Sequence, residues 1–428
     1  MTGTLPAAGM DSRLPLWCRC DHGLMSNATS DVTIPDFRAM GASLGSDLSV
    51  LRRDLHQIPE LEFDLTRTQA RLLEALDGLP LEITTRQGSS SIIAVLRGGR
   101  PGPTVLLRGD MDALPVTEQT DEAFKSTNGR MHACGHDLHM SGLVGAARLL
   151  SRVREDLAGS VLFMFQPAEE TANGAAEMLE HGLLDAAGDE PVVAWGIHEF
   201  PYPLGTVHVR AGAQMASNCQ LTATFTGLGG HGSAPHTAID PVPAVLDLGQ
   251  QLQNLVTREF SVFDPVVCTT TQLRAGEAIN VINDTAYLGA TVRAVSPEAT
   301  EQFARRGVEV AKSVAATHRC SVEAEFRVNC PTTMNDPVAA QVVLDTATRL
   351  FGADRVVEMK HPVMASEDFS YVLQKVRGAF LFMGALYPGV DPATAPQLHS
   401  PLARYDDAVL GDQAALLASL AWTGALPE

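Results

Sequence analysis

Two short stretches constrain this chain more than anything else in it. Thr104–Arg108 (TVLLR) and Ser160–Gln166 (SVLFMFQ) meet no charged or amide residue until their last position. A strand without polar alternation has both faces covered, the condition of a central strand in a mostly parallel sheet wrapped by helices. The surroundings fit. Leu48, Leu51 and Leu55, then Leu72, Leu73 and Leu76, recur at helical spacing with Pro59 between the two groups. Ser91–Arg97 and Val192–His198 read as further strands, Ser141–Val153 and Gly174–Glu180 as helices. Strand and helix alternate, so the fold class is α/β with a mostly parallel sheet.

The middle of the chain changes character. Cys219–Thr226, Val266–Leu273, Thr285–Val295 and Ser321–Val328 read as strands, with helices over Pro241–Arg258 and Pro297–His318. This β-α-β-β-α-β order is that of a ferredoxin-like module. Helix–strand alternation then resumes with Val338–Phe351, Val356–Met359, Glu367–Gln374, Ala379–Met383 and a helix from about Asp406 to Trp422. The expected organisation is a catalytic domain in two pieces, 46–213 and 329–428, with a lid domain inserted at 214–328. Residues 1–45 show no sustained period and are expected as a disordered N-terminal extension, with Met25 an alternative start. Asp11, Arg13, Arg19 and Asp21 interrupt any apolar core of a secretory signal.

Acidic residues outnumber basic ones 50 to 31 over 428 residues, a net charge of −19. That balance argues against a nucleic-acid or anionic-membrane surface, and no apolar run reaches membrane-spanning length. Seven scattered cysteines form no disulfide framework, so a reducing compartment, the cytoplasm, is expected.

The polar chemistry concentrates where the apolar strands end. MHACGHDLH (Met131–His139) packs three histidines, a cysteine and an aspartate into nine residues before an apolar helix. Thiolate and imidazole are preferred donors for zinc-like divalent metals, and Cys134 and His136 are close enough in sequence to reach one site. GDMDALP (Gly109–Pro115) follows TVLLR and brings Asp110 and Asp112 to a strand's C-terminal end, where ligand sites gather in open α/β sheets. QPAEE (Gln166–Glu170) delivers two adjacent carboxylates to the same edge, and GIHEF (Gly196–Phe200) brings His198. One glutamate of an adjacent pair can ligate metal while its neighbour faces substrate. The combination fits hydrolysis at a dinuclear metal centre, where two cations about 3.5–4 Å apart lower the pKa of a shared water.

Other motifs do not hold. Gly227, Gly229 and Gly232 match G-x-G-x-x-G, but Pro235 and Pro241 keep a helix from starting there and the module is not βαβ. That loop, GLGGHGSAPH, reads better as an arm presenting His231. GASLG (Gly41–Gly45) has the form of a nucleophile elbow, yet no apolar strand feeds Ser43.

GDMDALP, MHACGHDLH, QPAEE, GIHEF, GGHGSAPH, INVIND and LHSP, in this order, resemble the dinuclear metallopeptidase superfamily of aminoacylases and glutamate carboxypeptidases. The cysteine-containing MHACGHD is similar to the branch of hippurate hydrolases and indole-acetyl-amino-acid hydrolases. Carried over motif by motif, the resemblance implies metal ligation by Cys134, His136, Glu170, His198 and His399, with Glu169 as general base. It implies an orienting role for Asp112, oxyanion stabilisation by His231, often at a partner subunit's site, and a grip on the substrate carboxylate by Asn280 and Arg293. Asn283 stands where the family usually carries proline. His139 and the segment Ser366–Phe369 match the branch without an assigned role.

The resemblance implies a metal-dependent amidohydrolase that cleaves N-acyl-amino acids to a carboxylate and a free amino acid. It implies two divalent cations per subunit, manganese or zinc, with cobalt or nickel as alternatives, and a homodimer or higher homo-oligomer through the lid. A dipeptidase or carboxypeptidase would use the same machinery. A non-catalytic binder of amino-acid conjugates would not need a base beside a metal ligand, so the Glu169–Glu170 pair argues against it.

Overall fold

The computed structural model describes residues 34–171 and 173–427. The compact unit begins at Pro35. Asp36 caps the first helix, Phe37–His56, by accepting the N–H of Ala39 at 3.0 Å. The expected boundary at residue 45 therefore falls inside a helix, and Ser43, with its neighbours of GASLG, lies on helical turns. Cys18, Cys20 and Met25 lie outside the described residues.

An eight-stranded sheet forms the large domain, in the order 81–86, 89–97, 158–166, 100–110, 191–203, 378–386, 207–209, 356–358. The four central strands, from Ala158–Gln166 to Gly378–Leu386, are mutually parallel. Their apolar runs divide by alternation into two cores. Val105, Leu107, Phe163, Trp195 and Leu381 pack beneath helices Phe37–His56, His136–Arg152 and Leu410–Thr423. Leu106, Leu162, Met164, Ala194 and Phe380 face the short helices Gly174–Glu180 and Ser370–Leu373. Both faces are dry, as the unbroken sequence runs require. The outer strand Leu81–Arg86 was not expected; its exposed, polar pattern hides it among loop residues.

The inserted module is a four-stranded antiparallel sheet in the order 266–275, 285–294, 218–226, 321–330. Helices Val242–Glu259 and Pro297–Thr317 bury their apolar stripes against one face of it. This is the ferredoxin-like order, with each element within a few residues of expectation. A two-stranded ribbon, Gly212–Met215 with Thr333–Asn335, ties the two crossings between domains together.

One expected helix is largely absent. Of Glu367–Gln374 only Ser370–Leu373 is helical, because Glu367 and Asp368 are drawn to the buried Arg108 at 2.6 and 3.3 Å.

Candidate metal centre

The parallel strands end together, and their polar termini meet at one edge of the sheet. Gly135, at φ 88°, permits the left-handed turn between Cys134 and the helix starting at His136. Cys134 Sγ lies 3.4 Å from His198 Nε2 and 3.3 Å from His399 Nε2. Glu170 Oε1 lies 3.3 Å from His399 Nε2 and 3.9 Å from His136 Nε2. The donor atoms of Cys134, His136 and His198 fall within 4.8 Å of one another, as do those of Cys134, Glu170 and His399, and those of His136, Glu169 and Glu170. All five expected ligands and the expected base are thus brought together by separate segments of chain.

The donor set fits divalent cations. His136 Nε2 and Glu170 Oε1 are buried and make no well-aligned hydrogen bond, facing only other site groups, Asp110 Oδ2 and His399 Nε2, each at 3.3 Å; that is a costly condition for a polar atom unless a ligand takes it. The imidazoles are pre-oriented from behind. His136 Nδ1 is 2.8 Å from the Asp112 carbonyl and His198 Nδ1 is 2.6 Å from the Glu199 carbonyl. Donation from Nδ1 leaves the Nε2 lone pair of each ring facing the cluster. Burial opposes a charge on His136, yet Asp110 and Asp112 outweigh it and push its pKa up to about 10. A cation at Nε2 would stand in that proton's place. Burial, with Glu170 next to it, pushes the Cys134 thiol up, a bias that a coordinated cation reverses.

The carboxylate of Asp112 backs the cluster, with Oδ1 3.5 Å from His136 Nδ1. Its two oxygens accept the N–H groups of Glu169 and Glu170, each at 3.0 Å. The turn they hold is strained: Ala168 sits at φ 57° and His399, across the cluster, at φ 66°. Left-handed backbone costs about 1–2 kcal/mol per non-glycine residue, so these conformations persist because their surroundings impose them. The His399 N–H is tied to the Ala133 carbonyl at 3.1 Å, one residue from Cys134.

Burial and the neighbouring carboxylates Glu367 and Glu170 push the Glu169 carboxyl well above the usual range. Behind this wall stand Arg108 and Glu199, which sequence reasoning missed, and His139, Glu367 and Asp368, which it singled out without a role. Arg108 is fully buried and ion-paired to Asp110 at 2.9 Å as well as to Glu367 and Asp368. His139 lies between Asp110 at 2.5 Å and Glu199 at 2.7 Å; burial works against its charge, but the two carboxylates raise its pKa to about 9. The available signal was the charged arginine closing an otherwise apolar strand.

A cavity of about 660 Å³ opens over the cluster, lined by Cys134, Glu169, Glu170, His198 and His399 on one side and by Arg293 from the lid on the other. His231 and Asn280 are the exceptions to expectation. They sit together on an exposed ribbon, His231 opposite Val281, with the Gly232 N–H on the Asn280 carbonyl at 2.8 Å. Neither lines the cavity, because that ribbon stands apart from the four-stranded lid sheet whose polar face does.

Residues 106–423 match the family described as peptidase family M20/M25/M40. The chain belongs to this family. An M20 relative, the IAA-amino acid hydrolase ILR1-like 5 of Arabidopsis thaliana, is 36% identical over 87% of this chain and 85% of its own. The N-acetylcysteine deacetylase of Bacillus subtilis is 36% identical over 78% of this chain and 87% of its own. A dinuclear metal binding peptidase of the M20 family from Bacillus subtilis superposes with a TM-score of 0.77 at 32% identity, covering 89% of this chain and 98% of that one. The expected resemblance, the α/β fold with an inserted lid, and a hydrolase of M20 type are borne out.

Proposed function

We propose that the chain is a metal-dependent amidohydrolase that splits N-acyl-amino acids into a carboxylate and a free amino acid. One observation carries the reading: Glu169 lies beside five convergent metal donors in a cavity whose far wall offers Arg293. The M20 relatives named as amino acid hydrolase and deacetylase support the substrate class. Cys134, His136, Glu170, His198 and His399 would hold two divalent cations, manganese or zinc before cobalt or nickel. When bound, these supply an acidified water and polarise the amide carbonyl. Glu169 takes the proton of the attacking water and returns it to the leaving nitrogen. Arg293 holds the α-carboxylate of the amino-acid half, and Asp112 keeps the Glu169–Glu170 turn in place.

The assembly is set by the lid. Among the described residues the outer edge of strand Val266–Ala275 is unpaired; Val267 and Leu273 are exposed on that strand and Leu246 on the adjoining helix Val242–Glu259. We infer that a second copy covers this edge and that His231 and Asn280, off the cavity of their own chain, serve the partner's. Five described cysteines, all unpaired, support a reducing cytoplasmic setting. Among the described residues no helix is long and apolar enough to cross a membrane.

The deciding experiment is amine release from N-acetyl-, N-benzoyl- and indole-acetyl-amino acids and dipeptides, with protein loaded separately with manganese and zinc. Chelator-sensitive release of amino acid from the acyl substrates is expected. Release from dipeptides alone would convert the reading to a dipeptidase, and no release despite two bound metals would overturn it.

A further inference from the structure

The two walls of the cavity have opposite chemistry. The catalytic wall carries Glu169, Glu170, Glu367 and Asp368, while the lid wall carries two arginines, Arg293 and Arg327. Strand pairing explains how both arginines come to one face. Arg327 lies opposite Gln220 and Gln220 opposite Thr291, two residues before Arg293. Residues two apart share a face, and the opposite face holds the lid core of Cys219, Leu221 and Val292. The two arginines thus rise from the cavity face of strands two positions apart, roughly 12 Å at the backbone once the two-residue offset is included, a span that long side chains can bridge.

Within the lid, Arg293 has no ionic partner among the described residues and Arg327 has only a solvent-exposed one. Among the described residues Arg293 forms no ion pair; its guanidinium makes one long contact, to the Ser217 carbonyl at 3.5 Å. It is half-buried and burial lowers its pKa, with only the thiols of Cys219 and Cys330 acting against that. Arg327 touches Glu325 at 3.3 Å, with both side chains about two-thirds exposed at 65% and 63%. Such an exposed pair is worth little and yields readily to a better partner. Among the described residues none of the four carboxylates across the cavity pairs with either lid arginine; Glu367 and Asp368 face Arg108 behind them, and Glu170 faces His399. One α-carboxylate needs one arginine, so the lid offers a cation in excess.

We propose that Arg327 is a specificity residue for a second carboxylate, making the substrate class N-acyl-amino acids that carry an acidic group besides the α-carboxylate. This rests on the amidohydrolase reading of the site. The second carboxylate can sit on the amino-acid side chain or at the far end of the acyl group; both present the same anion to Arg327, and the test separates them.

The experiment compares pairs of equal shape that differ only in charge. N-acetyl-glutamate is set against N-acetyl-glutamine, and N-succinyl-alanine against its terminal amide, with the full-length manganese-loaded protein. The acidic member of one pair is expected to be favoured about tenfold in kcat/KM. Arg327→Gln should collapse that ratio toward one, chiefly through KM, while Arg327→Lys should keep part of it, because the charge remains and only the fork is lost. A ratio near one in the unaltered protein for both pairs would overturn the proposal. So would a loss in R327Q that falls equally on acidic and neutral substrates. If no N-acyl-amino acid is turned over, the amidohydrolase reading fails. The Arg327 claim is then decided by thermal stabilisation with N-acetyl-glutamate and N-acetyl-glutamine: a glutamate preference that R327Q abolishes sustains it, and equal or absent stabilisation rejects it.

Discussion

Asp112 holds Glu169 by its backbone: the carboxylate oxygen Oδ1 accepts the Glu169 N–H at 3.0 Å, and Oδ2 takes the next N–H in the same way. The aspartate therefore positions both Glu169, the proposed base, and Glu170, a proposed ligand, without touching either side chain. Asp112→Asn replaces one acceptor by an NH2 group that opposes an N–H. Metal affinity and kcat/KM should each fall about 10–100-fold, the scale for groups that orient ligands, with the fold retained. Wild-type metal affinity in D112N, measured by competition with a chelator, would reject this positioning.

Glu169→Gln keeps the shape of the side chain and removes its proton capacity. Turnover should drop about 10²–10⁴-fold, the usual contribution of a general base. Bound metal, measured by elemental analysis, should stay at the wild-type stoichiometry, since Glu170 is intact. Undiminished turnover would remove Glu169 from the role of base.

Gly174 opens the helix after the Glu169–Glu170 turn, and a Cβ there would collide with the Pro167 carbonyl. Backbone cannot step aside as a flexible side chain can. Gly174→Ala should cost about 1–3 kcal/mol in denaturant unfolding and also depress kcat/KM by shifting the turn. A loss of stability with unaltered kinetics would show the turn to be independent of this contact.

Asp336 caps helix Pro337–Phe351, taking the N–H groups of Val338 and Ala339 at 2.8 and 3.0 Å, and pairs with Arg377 at 2.8 Å. Burial alone would raise its pKa; Arg377 and the two N–H groups override that and hold it below the usual carboxylate range. A depressed pKa stabilises the fold above the unfolded value of about 3.9 and loses that contribution as pH falls through the folded value. Asp336→Ala should therefore cost about 1 kcal/mol at pH 7, and the gap to wild type should narrow below pH 4. A gap that is constant with pH would mean that the carboxylate's charge does not matter.

The ordered motifs and the unbroken apolar runs of TVLLR and SVLFMFQ made the central strands, the lid module and five candidate donors legible, and the structure brings those five side chains together. The reason is local: strands buried on both faces read as continuous apolar sequence, and in a parallel sheet the residues after each strand land on the same edge. The tertiary structure alone decided which distant groups meet. Arg108 finds Glu367 across 259 residues, which unwinds the start of an expected helix and sets the buried wall behind Glu169. Arg327 joins Arg293 only through the strand order of the lid, and His231 leaves the cavity because its ribbon lies outside that sheet. Periodicity reports whether a residue is buried; it carries no information on which distant charge it meets, because crossover connections set that and they leave no local pattern.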